Sequence, residues 1–195
     1  MTTLTTRRIA VASAFVSLSL VAALPARAQM APTNAMSFLT LANGSNTFEI
    51  QSSQLAEQKT RSPSILRFAR DMIRDHSMAA RNMAAAEQSA GMPPMPPALD
   101  PPHAALLAQL QGAGPGPQFD RLYVQMQLQG HQQAVGLFKT YGRGGDNPVI
   151  VAFARQSLRV LEHHLRRIEE IANRGAPGPI AGRPLRSRRY EATQP

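Results

Sequence analysis

Three histidines and one glutamate fall at positions where helical side chains would point inward. His76 follows Met72 by four residues and Ile65 by eleven. His164 follows Val160 by four and precedes Ile168 by four, and His131 precedes Ala134 by three and Phe138 by seven. Glu49 follows Leu41 by eight and precedes Ala56 by seven. In a helix these intervals return to nearly the same face, so each polar residue rides an apolar stripe. Imidazole and carboxylate together suit a transition metal such as Zn, Fe, Mn or Cu. The metal reading makes Glu49, His76, His131 and His164 ligands of one ion. The competing reading makes each histidine a satisfied core group, donating to a carbonyl or to Asp75, Asp120 or Glu49, that only fixes helix register. The other two histidines sit elsewhere: His163 lies beside Arg159, Arg166 and Arg167, and His103 opens a short segment rich in alanine and leucine.

Other chemistries lack their residues. Di-iron carboxylate bundles carry Glu-x-x-His on two helices, yet Ile73, Leu128 and Leu161 stand three places before the inward histidines. There is no Gly-rich phosphate loop, Gly-x-Ser-x-Gly elbow or His-Glu-x-x-His motif. With no cysteine in the chain, disulfides, thiolate sites and cysteine nucleophiles are all excluded. No nucleophile–base pair is recognisable, so an enzyme working without metal is not expected.

Four long elements must position these side chains. Ser62-Pro63, Asp100-Pro101 and Asn147-Pro148 each set a capping residue before a proline at the first helical position. Between them the chain is rich in Ala, Leu, Met, Gln and Arg, which favours helix. Helices are expected over about 34–60, with Gly44 as the place where the first could bend, then 63–90, 118–141 and 148–173. The stripes are Phe38, Leu41, Phe48 and Leu55 on the first; Ile65, Phe68, Met72 and Met83 on the second; Phe119, Tyr123, Met126 and Phe138 on the third; Phe153, Val160, Leu161, Ile168 and Ile171 on the fourth. The segment 91–117 holds a proline cluster at 93, 94, 96 and 97 and a short helix expected from Pro102 to Leu110. One long crossover between the second and third of four helices is the connectivity of ferritin-like bundles. The expected fold class is therefore all-α, a ferritin-like four-helix bundle.

The ends differ from the body. Arg7 and Arg8, an uncharged run from Ile9 to Leu24 and Ala26-Arg27-Ala28 read as a secretory signal peptide over 1–28. The run is short of the roughly 20 residues that span a bilayer, and no other stretch qualifies. Most of the formal charge of +9 resides at the two ends, for residues 29–172 hold thirteen basic and eleven acidic residues. Nucleic-acid binding is not expected of so neutral a body. The Arg/Pro/Gly-rich segment 174–195 has too little apolar content to fold and is expected to be a disordered tail, with weak contact to anionic envelope components as its one suggested role. The domain plan is a signal peptide over 1–28, a bundle over 29–173 and a tail over 174–195.

Phe68-Ala69 with Met72, Asp75-His76, Phe119-Asp120-Arg121-x-Tyr123, His131 and Leu161-x-x-His164-Leu165 occur in an order that resembles an uncharacterised family of exported bacterial proteins. Its members have a ferritin-like bundle and are often labelled outer membrane proteins. The resemblance covers about residues 36–172, and Glu49, Asp75, His76, Asp120, His131 and His164 all match its pattern. It implies an all-helical fold and a periplasmic or envelope location. The family carries no settled activity, so the resemblance leaves two functions open: a metal-binding bundle of envelope or stress physiology, or a non-enzymatic structural or interaction protein without metal.

Overall fold

A computed structural model describes residues 34–175 of the chain. The expected signal peptide, and the expected tail beyond Gly175, lie outside the described residues. Among the described residues there are five helices and no strands: α1 (Ala35–Lys59), α2 (Pro63–Ser89), α3 (Pro101–Gly112), α4 (Pro117–Gly144) and α5 (Pro148–Gly175). No described helix is long and apolar enough to cross a membrane.

Helix starts follow the expected chemistry at two of three sites. Asp100 accepts from the His103 amide at 2.9 Å, and Asn147 accepts from the amides of Val149 and Ile150 at 3.0 and 3.2 Å. Ser62 does not cap α2; its hydroxyl pairs with that of Ser64 at 3.0 Å. At the other end of α2, Gly91 takes the left-handed conformation (φ 73°), and the Met92 amide returns to the Glu87 carbonyl at 2.8 Å. A residue without a Cβ adopts that stop at no steric cost. Helix α1 runs unbroken through Gly44. The glycine is there for close approach rather than a bend: a Cβ would meet Asp100 Oδ2 at 2.6 Å.

The long helices neighbour one another in a closed ring, α1 on α2, α2 on α5, α5 on α4 and α4 on α1, with α3 lying across α1 and α4. The buried apolar residues form two separate clusters. One gathers Ala56, Phe68, Met72, Tyr123 and Ile168 among others; the other gathers Phe38, Met83, Phe138, Ile150 and Leu161. On α2 the chain passes from the first cluster through His76 to the second. On α4 it passes the same way through His131, and on α5 the reverse way through His164. Helix α1 also runs from the second cluster to the first. Thus every ring neighbour is antiparallel, while α2 and α4 run the same way and the crossover must carry the chain back along the molecule. Lys59 fastens that crossover, donating to the carbonyls of Leu110 and Ala113 at 3.2 and 2.9 Å. His76, Gln127, His131 and His164 are buried between the stretches of their helices that enter the two clusters, and Glu49, Ser52 and Ser53 are buried polar residues of α1 between Phe48 and Ala56.

Two residues of the expected stripes are not in the core. Leu41 is 43% exposed and Val160 also 43%. Val160 borders a cavity between α2 and α5, so its stripe meets open space there instead of a neighbouring helix.

Candidate metal centre

His76, His131 and His164 are all buried, and they meet. Their ring centroids are 5.4 to 5.8 Å apart, and one nitrogen from each lies within 4.8 Å of the others. Each comes from a different helix, so the meeting is made by packing and not by local sequence. Nitrogens bound to one ion at about 2.0–2.1 Å would stand about 3.3–3.5 Å apart, so modest side-chain rotation closes the group onto a metal.

One nitrogen of each ring has a hydrogen-bond partner, and that partner fixes the tautomer. His131 Nδ1 lies 2.9 Å from the Gln127 carbonyl, which can only accept, so Nδ1 carries the proton. His164 Nε2 donates to Asp75 Oδ2 at 3.0 Å. His76 Nδ1 donates to Asn46 Oδ1 at 2.9 Å. What remains is one lone pair per ring: His131 Nε2, His164 Nδ1 and His76 Nε2. All three atoms are buried and have no hydrogen-bond partner among the described residues. Ligand histidines are held in the same way, with one nitrogen oriented by an outer partner and the other left free.

Electrostatics keep the rings neutral. Burial lowers all three histidines below their ordinary value, His131 to about 4 and His76 well below, and for His76 the neighbouring rings add to the effect. At His164 the hydrogen bond to Asp75 opposes burial without overcoming it. Burial pushes the Asp75 carboxyl up, but the Arg74 guanidinium and the His164 ring together hold it below its ordinary range. At neutral pH the arrangement is three unprotonated imidazoles with an ionised carboxylate behind one of them. Phe68 turns its ring edge-on to His131 and His164, with centroids 6.3 and 6.2 Å away, and closes one side of the group.

Glu49 is buried on α1 but is not one of the converging group. Its Oε1 stands 3.8 Å from His131 Nδ1, the nitrogen already committed to Gln127. Burial raises its carboxyl to about 8, against the Gln127 side chain, which pulls the other way. His163 is exposed, as its arginine neighbours suggested. His103 is partly buried, bonded to Asp100 at 2.7 Å with its ring 5.5 Å from that of Phe48. Asn46 was not foreseen. It stands thirty residues before His76 on another helix, and no spacing within one helix reveals such a pair.

Residues 20–171 match the family described as a domain of unknown function, DUF4142, and the chain belongs to that family. No curated protein matches it. Among solved structures it is similar to CopM in the Cu(II)-bound form, with a TM-score of 0.60 at 20% identity over 72% of this chain and 97% of that one. It is similar to a DUF305 fragment from Deinococcus radiodurans, with a TM-score of 0.62 at 20% identity over 73% of this chain and 97% of that one. CopM in an Ag-bound form gives a TM-score of 0.59 at 21% identity, over 74% and 98%. These likenesses concern the fold.

Proposed function

We propose that this protein binds one transition-metal ion through His76, His131 and His164, inside a four-helix bundle of ferritin-like connectivity. The observation that carries the reading is the convergence of three buried imidazoles from three helices, each with one nitrogen left unpartnered. Each buried acceptor without a partner costs roughly 1–3 kcal/mol. Histidines that served register alone would be satisfied on both nitrogens or turned apart. A metal ion satisfies all three at once. Neutral imidazoles suit Cu and Zn, and three protein ligands leave a further position free for water or another ligand. Copper is the first ion to test, because CopM, whose fold is similar, has been seen with Cu(II) and Ag. In this reading Glu49, whose Oε1 stands 3.8 Å from His131 Nδ1, is a neutral neighbour of that ring and not a ligand. The Arg7-Arg8, apolar run and Ala26-Arg27-Ala28 order supports export, and with it a role in envelope or stress physiology.

The test is equilibrium titration of the chain with Cu(I), Cu(II) and Zn(II), beside single alanine variants of the three histidines and of His163. Wild type and His163→Ala should bind one ion with equal affinity, and each of the other three should lose at least about 100-fold. Equal binding by the His163 and His164 variants would reject the site. No stoichiometric binding by the wild type would return these residues to a register-fixing role.

A further inference from the structure

The histidine group is sealed on the Phe68 side and open on the other. A cavity of about 170 Å³ lies against it, with its inner wall on α1 and α4. Met78 and Asn82 of α2 and Gln156 and Val160 of α5 are exposed and line the same cavity, so its mouth opens between these two helices. Its floor is shared with the centre. Of the three histidines only His76 lines it, together with Asn46 and Asp75, the residues that orient His76 and His164.

The lining suits a cation. Among the described residues that line the cavity there is no lysine or arginine, the one ionised group is Asp75, and beside His76 the polar remainder is neutral hydroxyl and amide. Two thioethers also line it: Met78, half exposed, whose sulfur accepts from the exposed Arg81 guanidinium at 3.6 Å and must exchange it for an ion, and Met83, which is buried. Thioether sulfur is a soft ligand that favours Cu(I) and its like over harder ions.

Resting on the metal site proposed above, we infer that this cavity is the path by which the ion reaches and leaves the centre, with His76 as its first protein ligand there and the thioethers favouring passage of soft monovalent ions. An obstacle on a path raises the barrier for entering and leaving alike, so it changes both rates and leaves the equilibrium where it was.

The experiment is stopped-flow loading and chelator-driven release of Ag(I) and Zn(II) with the full chain, alongside equilibrium affinity. Ala79→Phe fills the cavity from α2, and Ser157→Leu fills it from α5 should the first variant fail to fold. Either should slow loading and release of both ions by about ten-fold or more while affinity stays near wild type. Met78→Leu keeps the volume and removes the sulfur. It should slow Ag(I) about three-fold or more and leave Zn(II) unchanged. Wild-type rates in a folded, cavity-filled variant of wild-type affinity would overturn the path. Equal effects of Met78→Leu on the two ions, or none, would overturn the role of sulfur. A wild-type chain that binds neither ion at equilibrium would instead sink the histidine centre itself.

Discussion

His164 on α5 donates its Nε2 proton to Asp75 on α2, 3.0 Å away, and so keeps its buried Nδ1 free within the group it forms with His76 and His131. Asp75 is itself held by Arg74 Nε at 2.8 Å, so the carboxylate is fixed from both sides. Asp75→Ala should therefore weaken metal affinity about 10–100-fold without removing a ligand. Competition titration measures it. Unchanged affinity would show that packing alone orients His164.

Among these groups, the acid–base balance of the metal-free protein should give a stability maximum near pH 6.5. Above that pH only Glu49 matters: its folded value is about 8, so the unfolded chain ionises first and stability falls as pH rises toward 8. Below about 6.5 the unfolded chain protonates histidines that the folded chain keeps neutral, and stability falls as pH drops. The shift of His131 to about 4 alone corresponds to roughly 3 kcal/mol by the bottom of that window. Glu49 and Glu87, both raised by burial, offset part of this, but three histidines outweigh two carboxyls. Urea midpoints at pH 8, 6.5, 5 and 4 test it. A midpoint that keeps rising below pH 6 would refute it.

Much of the fold was legible because proline, glycine and capping residues mark helix ends in one dimension. Pro63, Pro101 and Pro148 each begin a helix where expected, and the inwardness of His76, His131 and His164 followed from their phase on apolar stripes. Phase gives direction around a helix but not height along the molecule. Whether the three rings share a level depends on how the ring of helices slides together, which no interval within one helix encodes. Glu49 shows the limit: its inward direction was correct, yet it stands beside the outer edge of His131. Leu41 and Val160 fail for a related reason, since an apolar stripe predicts burial only where a neighbour covers it.

Gly44 and Asp100 should be coupled energetically. Asp100 caps α3 and also bonds the His103 ring, and a Cβ at position 44 would collide with its free carboxylate oxygen. Gly44→Ala gains about 1 kcal/mol of helix propensity but displaces a cap of similar value. Asp100→Ala alone should cost about 1 kcal/mol. In that background, Gly44→Ala should stabilise, whereas in the wild type it should be neutral or destabilising. Additive effects across the four proteins, measured by chemical denaturation, would show that the two residues do not meet.

Glu49→Gln separates the two roles open to that carboxyl. As a ligand, Glu49 would bring a negative charge to the ion, and an amide in its place would cost affinity heavily. As a neutral neighbour of His131, it is protonated in the folded chain near pH 7, and glutamine mimics that form in size and polarity. The expected result is metal affinity within about three-fold of wild type, since no coordinating atom is lost. The stability change should then depend on pH. Near pH 5 the variant should match the wild type to within about 1 kcal/mol. At pH 8 it should be more stable by an amount on the order of 4 kcal/mol, because the unfolded wild type gains an ionised carboxylate that its folded form refuses. Denaturation of the metal-free proteins at both pH values, with affinity measured in parallel, reads both quantities. A large loss of affinity with no gain in stability at pH 8 would restore Glu49 to the ligand set.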